Sequence, residues 1–389
     1  MFVQVSCPSG THDFAYSIAT PTSASATTIE PDLPSVLFIH SGYAAQEVFE
    51  SQFSDPQLRR FNLVAVDLLG NGSTRGFVGT DRYTPAETAV DLKLVIDALG
   101  LPACHVFGLS LGSTVGLELA WRYPSYILSL TICSPITPTE TADVAAGRAE
   151  VFECWSETFK LERSDEDEGS VRQKQQELLN DMLCGASQLV NNEHSRLAYA
   201  LGVCGMVRSI DIWSGTKEKL KKSHDSCIRW FTERKAIPTD SLAQIKCPVQ
   251  VVHCSEDVGY SVEVAEALRD ELKAAGIAVS LYSVSGPHYG NFTHPQAINP
   301  LLRDIVLSVS VLEADALPAP EPAFDNGKME TPWTELFMRF GYDPRKDTKN
   351  NGGCGFDSPE SVVAPPVFGS WFDISPVVPE QRTQPYGAQ

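Results

Sequence analysis

Short apolar runs alternate with helical stretches along most of this chain, and that alternation limits its fold more than any other feature. Val36-Leu37-Phe38-Ile39 and Leu63-Val64-Ala65-Val66 are apolar at successive positions, as strands covered on both faces of a parallel sheet are. Comparable runs follow at 103–107, 127–132, 249–252 and 278–282. Between them lie helical patterns. Thr84 can cap one, with Pro85 at its first position, Glu87 completing a capping box, and Gly100 and Pro102 stopping it. Its apolar residues Ala86, Ala89, Val90, Val95 and Leu99 fall near one face. Other helices are expected over 113–122, 262–275 and 298–312. An α/β architecture follows, with a mostly parallel central sheet flanked by helices.

The alternation breaks once. After Ser134-Pro135 and up to Pro238 the chain shows helical periodicity and charge clusters (165–168; Lys217 to Lys222) but no buried strand. We read a core in two parts, 1–136 and 241–313, interrupted by a helical insertion at 137–240. From Ala314 the chain is rich in Pro, Gly and Asp, so 314–389 is expected to be an irregular extension. One piece stands apart. Thr331-Pro332 can start a helix over 331–341 with Trp333, Leu336, Phe337 and Phe340 at helical spacing, suited to docking on its own core or on a partner.

Composition excludes some classes of function. A formal net charge of −19 argues against nucleic acid or an anionic membrane surface as partner. No run reaches the length of a membrane-spanning helix, and the first residues lack a basic region followed by an apolar one. The ten cysteines form no CxxC pair and no zinc-type grouping with histidine, so reduced thiols in a cytoplasmic protein are the simplest reading. Phosphate-loop, dinucleotide and zinc-protease motifs are missing, and no cofactor or metal is expected.

The chemistry centres on Gly108-Leu109-Ser110-Leu111-Gly112, at a strand-to-helix corner. A turn that tight pushes the Ser110 hydroxyl out above the strand ends. An alcohol is a poor nucleophile at neutral pH, so it needs a base, a group to orient the base, and donors for a developing oxyanion. His288, between glycines in a loop beyond the strand near Val284, is the candidate base. Asp257, after the strand at 249–252, is the candidate orienting acid, with Glu256 its competitor one position away. Backbone amides of Leu111 and Gly42 are candidate oxyanion donors. His40 fits a loop-bracing role better than that of a base.

The order Ser110, Asp257, His288 is that of the α/β-hydrolases. Asp67-Leu68-Leu69-Gly70-Asn71-Gly72-Ser73-Thr74 is similar to that family's D-x-x-G-x-G-x-S loop, and His40-Ser41-Gly42 stands where it has His-Gly-x. Over roughly 30–136 and 240–312 the chain resembles the capped, esterase and epoxide-hydrolase-like branch of the α/β-hydrolase fold superfamily. Three departures accompany the likeness. Ser41 replaces a glycine, which lets Tyr43 share the donor role; Ser113 replaces a second glycine after the elbow; Cys254 replaces a glycine before the acid.

The resemblance implies an α/β-hydrolase fold with an inserted helical cap. Serine at the elbow disfavours the epoxide and carbon–halogen chemistry that branch performs with aspartate. The expected activity is hydrolysis of a carboxylic ester, thioester or lactone of a small, largely hydrophobic substrate through an acyl-enzyme. An acyltransferase or carbon–carbon hydrolase with the same triad, or a catalytically silent ligand-binding module, are the alternatives. Phe152, Trp155, Phe159, Met182, Trp213, Trp230 and Phe231 supply the insertion with apolar material for a lid.

Overall fold

The computed structural model describes residues 1–78, 83–160, 167–190 and 195–346. Of the expected features, part of the charge cluster at 165–168 and the extension beyond 346 lie outside the described residues.

Among the described residues nine strands build one sheet: β1 Phe2–Cys7, β2 Gly10–Thr20, β3 Ser23–Ala26, β4 Ser35–Ile39, β5 Asn62–Val66, β6 Cys104–Leu109, β7 Ile127–Cys133, β8 Val249–Cys254 and β9 Val279–Val284. Their spatial order is β1-β2-β5-β4-β6-β7-β8-β9, with β3 paired to β2. Strands β4 to β9 pair in parallel, while β1, β2 and β3 add an antiparallel margin. The margin has no counterpart in the sequence reading, because β2 mixes polar and apolar residues along its length.

Within the parallel part the period-2 geometry of a strand sorts one apolar run into two cores. Leu37 and Ile39 of β4, with Val106 of β6, face the helices Pro85–Ala98, Leu111–Arg122 and Val262–Ala274. Val36, Phe38 and Phe107 face the other way, against Phe49, Phe53 and the helix Pro295–Ser310.

The capping box of Thr84 and Glu87 forms as the spacing predicts. The buried face of that helix is different from the apolar pattern: Thr88, Asp91, Leu92 and Ile96 are buried with Ala89 and Val95, while Ala86, Val90 and Leu99 are only half-buried. A polar Asp91 is tolerated there because it accepts from the Ser9 hydroxyl at 2.8 Å and the Tyr83 hydroxyl at 3.1 Å.

Between β7 and β8 the chain runs through the helices Ala142–Phe159, Glu168–Gln188, Arg196–Trp213 and Lys217–His224. Trp155, Phe159 and Trp213 share a small apolar cluster of their own with Met182, while Trp230 and Phe231 join the main core.

The segment after 313 packs against the core as far as it is described. Trp333 lies 4.7 Å from Phe53, ring centre to ring centre, and Phe337 of the short helix Thr334–Arg339 is fully buried. Beneath it, the buried Arg59 donates to the carbonyls of Thr20, Ser23, Phe53 and Glu330. Thr331 donates its hydroxyl to Glu50 at 2.6 Å. Burial still pushes the Glu50 carboxyl up to about 7.

A carboxyl raised in the folded state favours folding in its neutral form. That contribution is present below the unfolded value near 4.5 and is lost as pH rises to about 7. Glu50→Gln, which keeps the shape and stays neutral, should flatten this fall and stabilise the protein at pH 8 by on the order of 2 kcal/mol. Thermal unfolding of both proteins from pH 5 to pH 8 measures it; parallel curves would refute it.

Candidate active site

At the end of β6 the chain turns directly into the helix Leu111–Arg122, and Ser110 sits on the corner at φ 55°, ψ −119°. Such a conformation costs on the order of 1–3 kcal/mol for a non-glycine residue and persists only where its surroundings enforce it. Here the enforcement is steric. A Cβ on Gly108 would lie 2.6 Å from the Gly112 carbonyl oxygen, and one on Gly112 would lie 2.2 Å from the oxygen of Ile39. Ser113 closes the turn by donating to the Gly108 carbonyl at 2.7 Å, and the Ser110 amide donates to Cys133 at 2.9 Å.

The Ser110 hydroxyl meets His288. Nε2 of the imidazole is 2.9 Å from Ser110 Oγ, and Nδ1 is 2.6 Å from Asp257 Oδ2. The other Asp257 oxygen accepts the amides of Gly259 at 2.8 Å and Tyr260 at 3.0 Å, so a fully buried carboxylate is held at both ends. Glu256 is exposed, and the main chain at 256 is turned to donate to Gly286. Between the two acids, the structure therefore brings Asp257 to the histidine.

Several residues hold the imidazole in place. Ser134, at φ 52° after β7, donates its hydroxyl to the His288 carbonyl at 2.6 Å. Tyr260 and Tyr289 each lie 5.6 Å from the imidazole, ring centre to ring centre. Just beyond, Gln52 donates to Asn291 O at 2.6 Å and to Asn299 at 2.8 Å, tying the histidine loop to the segment after β4.

The loop after β4 is fixed by His40. The Leu68 amide donates to His40 Nε2 at 2.9 Å, which places the proton on Nδ1, and Nδ1 donates to the Ser41 carbonyl at 2.7 Å. Burial lowers the basicity of this imidazole and keeps it neutral. With the Ser41 carbonyl held, planarity of the peptide aims the Gly42 N–H the opposite way. Tyr289 adds a second tie: its hydroxyl accepts from Ser41 Oγ at 2.7 Å and donates to the Gly42 carbonyl at 3.3 Å.

Above Gly42 lies Phe231 of the insertion, so close that a Cβ on Gly42 would be 2.2 Å from its ring. Tyr43, at φ 61°, stacks on Phe231 and donates its hydroxyl to the Cys227 carbonyl at 3.1 Å. Arg148 lies 3.5 Å over the same ring and pairs with Glu140, which also pairs with Arg234.

A cavity of about 260 Å³ lies between the helices Glu168–Gln188 and Arg196–Trp213 and the core segments 43–47 and 71–72. Tyr43 and Tyr289 form part of its wall, whereas Ser110 and His288 do not line it. Tyr43 and Tyr289 directly follow Gly42 and His288 in the chain. Of the insertion's large apolar residues singled out from sequence, Trp213 reaches this cavity.

Sequence reasoning missed Ser134 and Tyr289. Neither belongs to a motif, and apart from the contact of Tyr289 with its neighbour His288, the partners described are distant in the chain.

A parallel sheet whose order reverses between β4 and β6, with a serine elbow and a histidine loop at its carboxyl edge, defines the α/β-hydrolase class. A family model described as the alpha/beta hydrolase fold matches residues 34–223, and the chain has that fold. Among curated proteins it is 36% identical over 84 residues to the protein named "Putative carbamate hydrolase RutD" in Pantoea ananatis, a match covering 21% of this chain and 30% of that protein. It is 31% identical over 103 residues to a proline iminopeptidase of Neisseria meningitidis, covering 26% and 33%. The chain thus spans about a third of the length of the curated relatives it matches.

Two solved structures share the fold. An esterase from Thermogutta terrifontis superposes with a TM-score of 0.59 at 17% identity, covering 79% of this chain and 99% of that one. The enol-lactonase of Burkholderia xenovorans gives 0.56 at 15% identity, covering 78% and 99%.

The clash at Gly112 yields a test of the elbow's packing. Gly112→Ala should cost about 1–3 kcal/mol by overpacking against the Ile39 and His40 carbonyls. Gly147→Ala, where an added Cβ meets nothing within 4 Å, should be neutral or stabilising. Urea unfolding of the two variants compares them, and equal midpoints would refute the steric account.

Proposed function

We propose that this protein is a serine hydrolase cleaving a carboxylic ester, or a thioester or lactone, of a small and largely hydrophobic substrate. One observation carries the reading: a single imidazole is within hydrogen-bond distance of both a strained serine hydroxyl, at 2.9 Å, and a buried carboxylate, at 2.6 Å.

In this mechanism His288 Nε2 takes the proton of Ser110 as Oγ attacks the substrate carbonyl. Asp257 accepts a hydrogen bond from Nδ1–H and stabilises the imidazolium that results. The carbonyl oxygen gains negative charge and is met by the amides of Leu111 and Gly42, the latter aimed by His40. Losing one such donor typically costs about 3 kcal/mol of transition-state stabilisation. Collapse of the tetrahedral intermediate expels the alkoxide, protonated by His288, and leaves an acyl group on Ser110. Water, deprotonated by His288, then releases the acid.

The insertion at 137–240 serves in this reading as the cap, with Phe231 closing over Gly42 and the cavity beside Tyr289 taking the apolar part of the substrate. The core is 1–136 with 241–313, and 314–389 is an extension. No helix among the described residues is long and apolar enough to cross a membrane, and free thiols fit a cytoplasmic setting.

Ser110→Ala should lower turnover of a p-nitrophenyl acyl ester by at least about a thousandfold while leaving the circular dichroism unchanged. Asp257→Asn should lose a large part of the rate, and Glu256→Gln little. Near-normal turnover in Ser110→Ala would defeat the mechanism, and a reversed order of the two acid variants would reassign the acid. Product analysis with added alcohol separates hydrolysis from acyl transfer, since a transferase would yield a new ester in place of free acid.

A further inference from the structure

Among the described residues the cavity beside Tyr289 is largely apolar; its helices add the hydroxyls of Ser187, Tyr199 and Ser209, and it holds one charged pair. Glu47, in the segment after β4, and Arg208, on the helix Arg196–Trp213, meet in its wall, with Arg208 Nη1 2.6 Å from Glu47 Oε2. The second Glu47 oxygen accepts the Cys204 thiol at 3.6 Å, so both carboxylate oxygens are engaged. The guanidinium is not saturated. It carries five N–H donors, and among the described residues Glu47 is the one acceptor it reaches. Its side chain keeps 23% of its surface, against 2% for Glu47, and it lines the cavity. Charged donors without a protein acceptor thus face a space whose other described lining residues are uncharged.

The surrounding charge decides what kind of acceptor suits them. Asp67, fully buried and held by the Gln46 amide at 2.9 Å and the Ser73 amide at 2.8 Å, is a second carboxylate acting on Arg208. His40 and Cys204 are kept neutral by burial. Two carboxylates therefore already stand against one guanidinium. A ligand carboxylate would bring a third negative charge out of water, at a desolvation cost the site does not compensate. A neutral carbonyl oxygen takes the free N–H groups without that cost, in a bond to a charged donor that is stronger than a neutral one. Size sets the rest. A dry cavity of about 150 Å³ holds benzene, so the present space suits about ten non-hydrogen atoms.

We propose that Arg208 is a specificity-determining residue, and that the cavity takes the apolar arm of a substrate ending in a neutral carbonyl, such as a ketone, amide or second ester. This rests on the hydrolase reading for the position of the scissile bond, but not for the binding of the arm itself. Tyr43 and Tyr289, which line the cavity, directly follow Gly42 and His288 in the chain, so in this proposal the arm extends from Ser110 past these two rings toward Arg208.

The experiment uses three p-nitrophenyl acyl esters of matched chain length: one plain alkyl, one with a ketone next to its terminal methyl group, and one ending in a carboxylate. The protein should prefer the ketone to the alkyl ester by about tenfold in kcat/KM and should disfavour the carboxylate. Arg208→Lys, which can keep an ammonium beside Glu47 but loses the planar fork, should reduce the ketone-to-alkyl ratio severalfold. Glu47→Gln with Arg208→Met, which leaves no unpaired charge, should bring that ratio to about one. A ratio unchanged in both variants, or a wild-type preference for the carboxylate, overturns the proposal.

A binding measurement separates this result from the hydrolase reading. Calorimetric titration of the Ser110→Ala protein with a medium-chain methyl ketone and with the alkyl carboxylate of equal length should show tighter ketone binding, lost with Arg208→Lys. If no ester is cleaved while this dependence holds, the assignment of Arg208 stands and hydrolysis falls. If esters are cleaved while ketone binding ignores Arg208, the reverse follows.

Discussion

The close approach of one helix end to one strand end underlies the rest of the site. The helix Leu111–Arg122 begins so near the end of β4 that position 112 has no room for a side chain against the Ile39 and His40 carbonyls. That contact leaves Ser110 in a conformation its own chemistry disfavours, with its hydroxyl standing clear of the sheet. It also sets the loop after β4 beside the helix start. The helix start and the loop after β4 are therefore neighbours by packing, not by sequence proximity. A strained residue of this kind stores energy that the surrounding parallel strands must supply, and β4, β6 and β7 are buried throughout or nearly so.

Polar contacts then tune what packing has assembled. His40 fixes one peptide and Tyr289 the next, so the loop after β4 is held at two consecutive carbonyls. Tyr289 also follows His288 directly and donates its amide to Leu189 of the insertion at 2.8 Å. A single residue thereby touches the histidine loop, the loop after β4, the insertion and the cavity. Buried networks of this sort rigidify when every member is satisfied, which suits a site that has to hold several groups within tenths of an ångström.

The segment after 313 shows the same economy on the opposite face of the sheet. Its apolar residues cover Phe53, and its main chain supplies one of the acceptors that a fully buried Arg59 requires. Without that segment Arg59 and Glu50 would each lose a partner. The described part of the extension is thus bound to the core by buried polar groups as well as by apolar area.

Much of this was legible from the order of residues. Period and run length identified the parallel strands, because strands covered on both faces must be apolar at successive positions. Glycines around Ser110 marked the elbow, because only a missing Cβ permits the turn. Positions just past strand ends marked His288 and Asp257, because the carboxyl edge of a parallel sheet is where side chains converge. The antiparallel margin was not legible, since β2 is half polar and its pairing with β5 spans more than forty residues. Position favoured Asp257 over Glu256 but left Glu256 a competitor; their difference turns on one peptide's orientation and on two amides that hold a carboxylate. Ser134, Tyr289 and the Glu47–Arg208 pair carry no local signal at all. Local sequence determines which backbone conformations are affordable, and hence the elements and their ends. Which side chains meet across a gap of a hundred or more residues is decided by the packing of the whole, where a shift of one ångström separates a hydrogen bond from none.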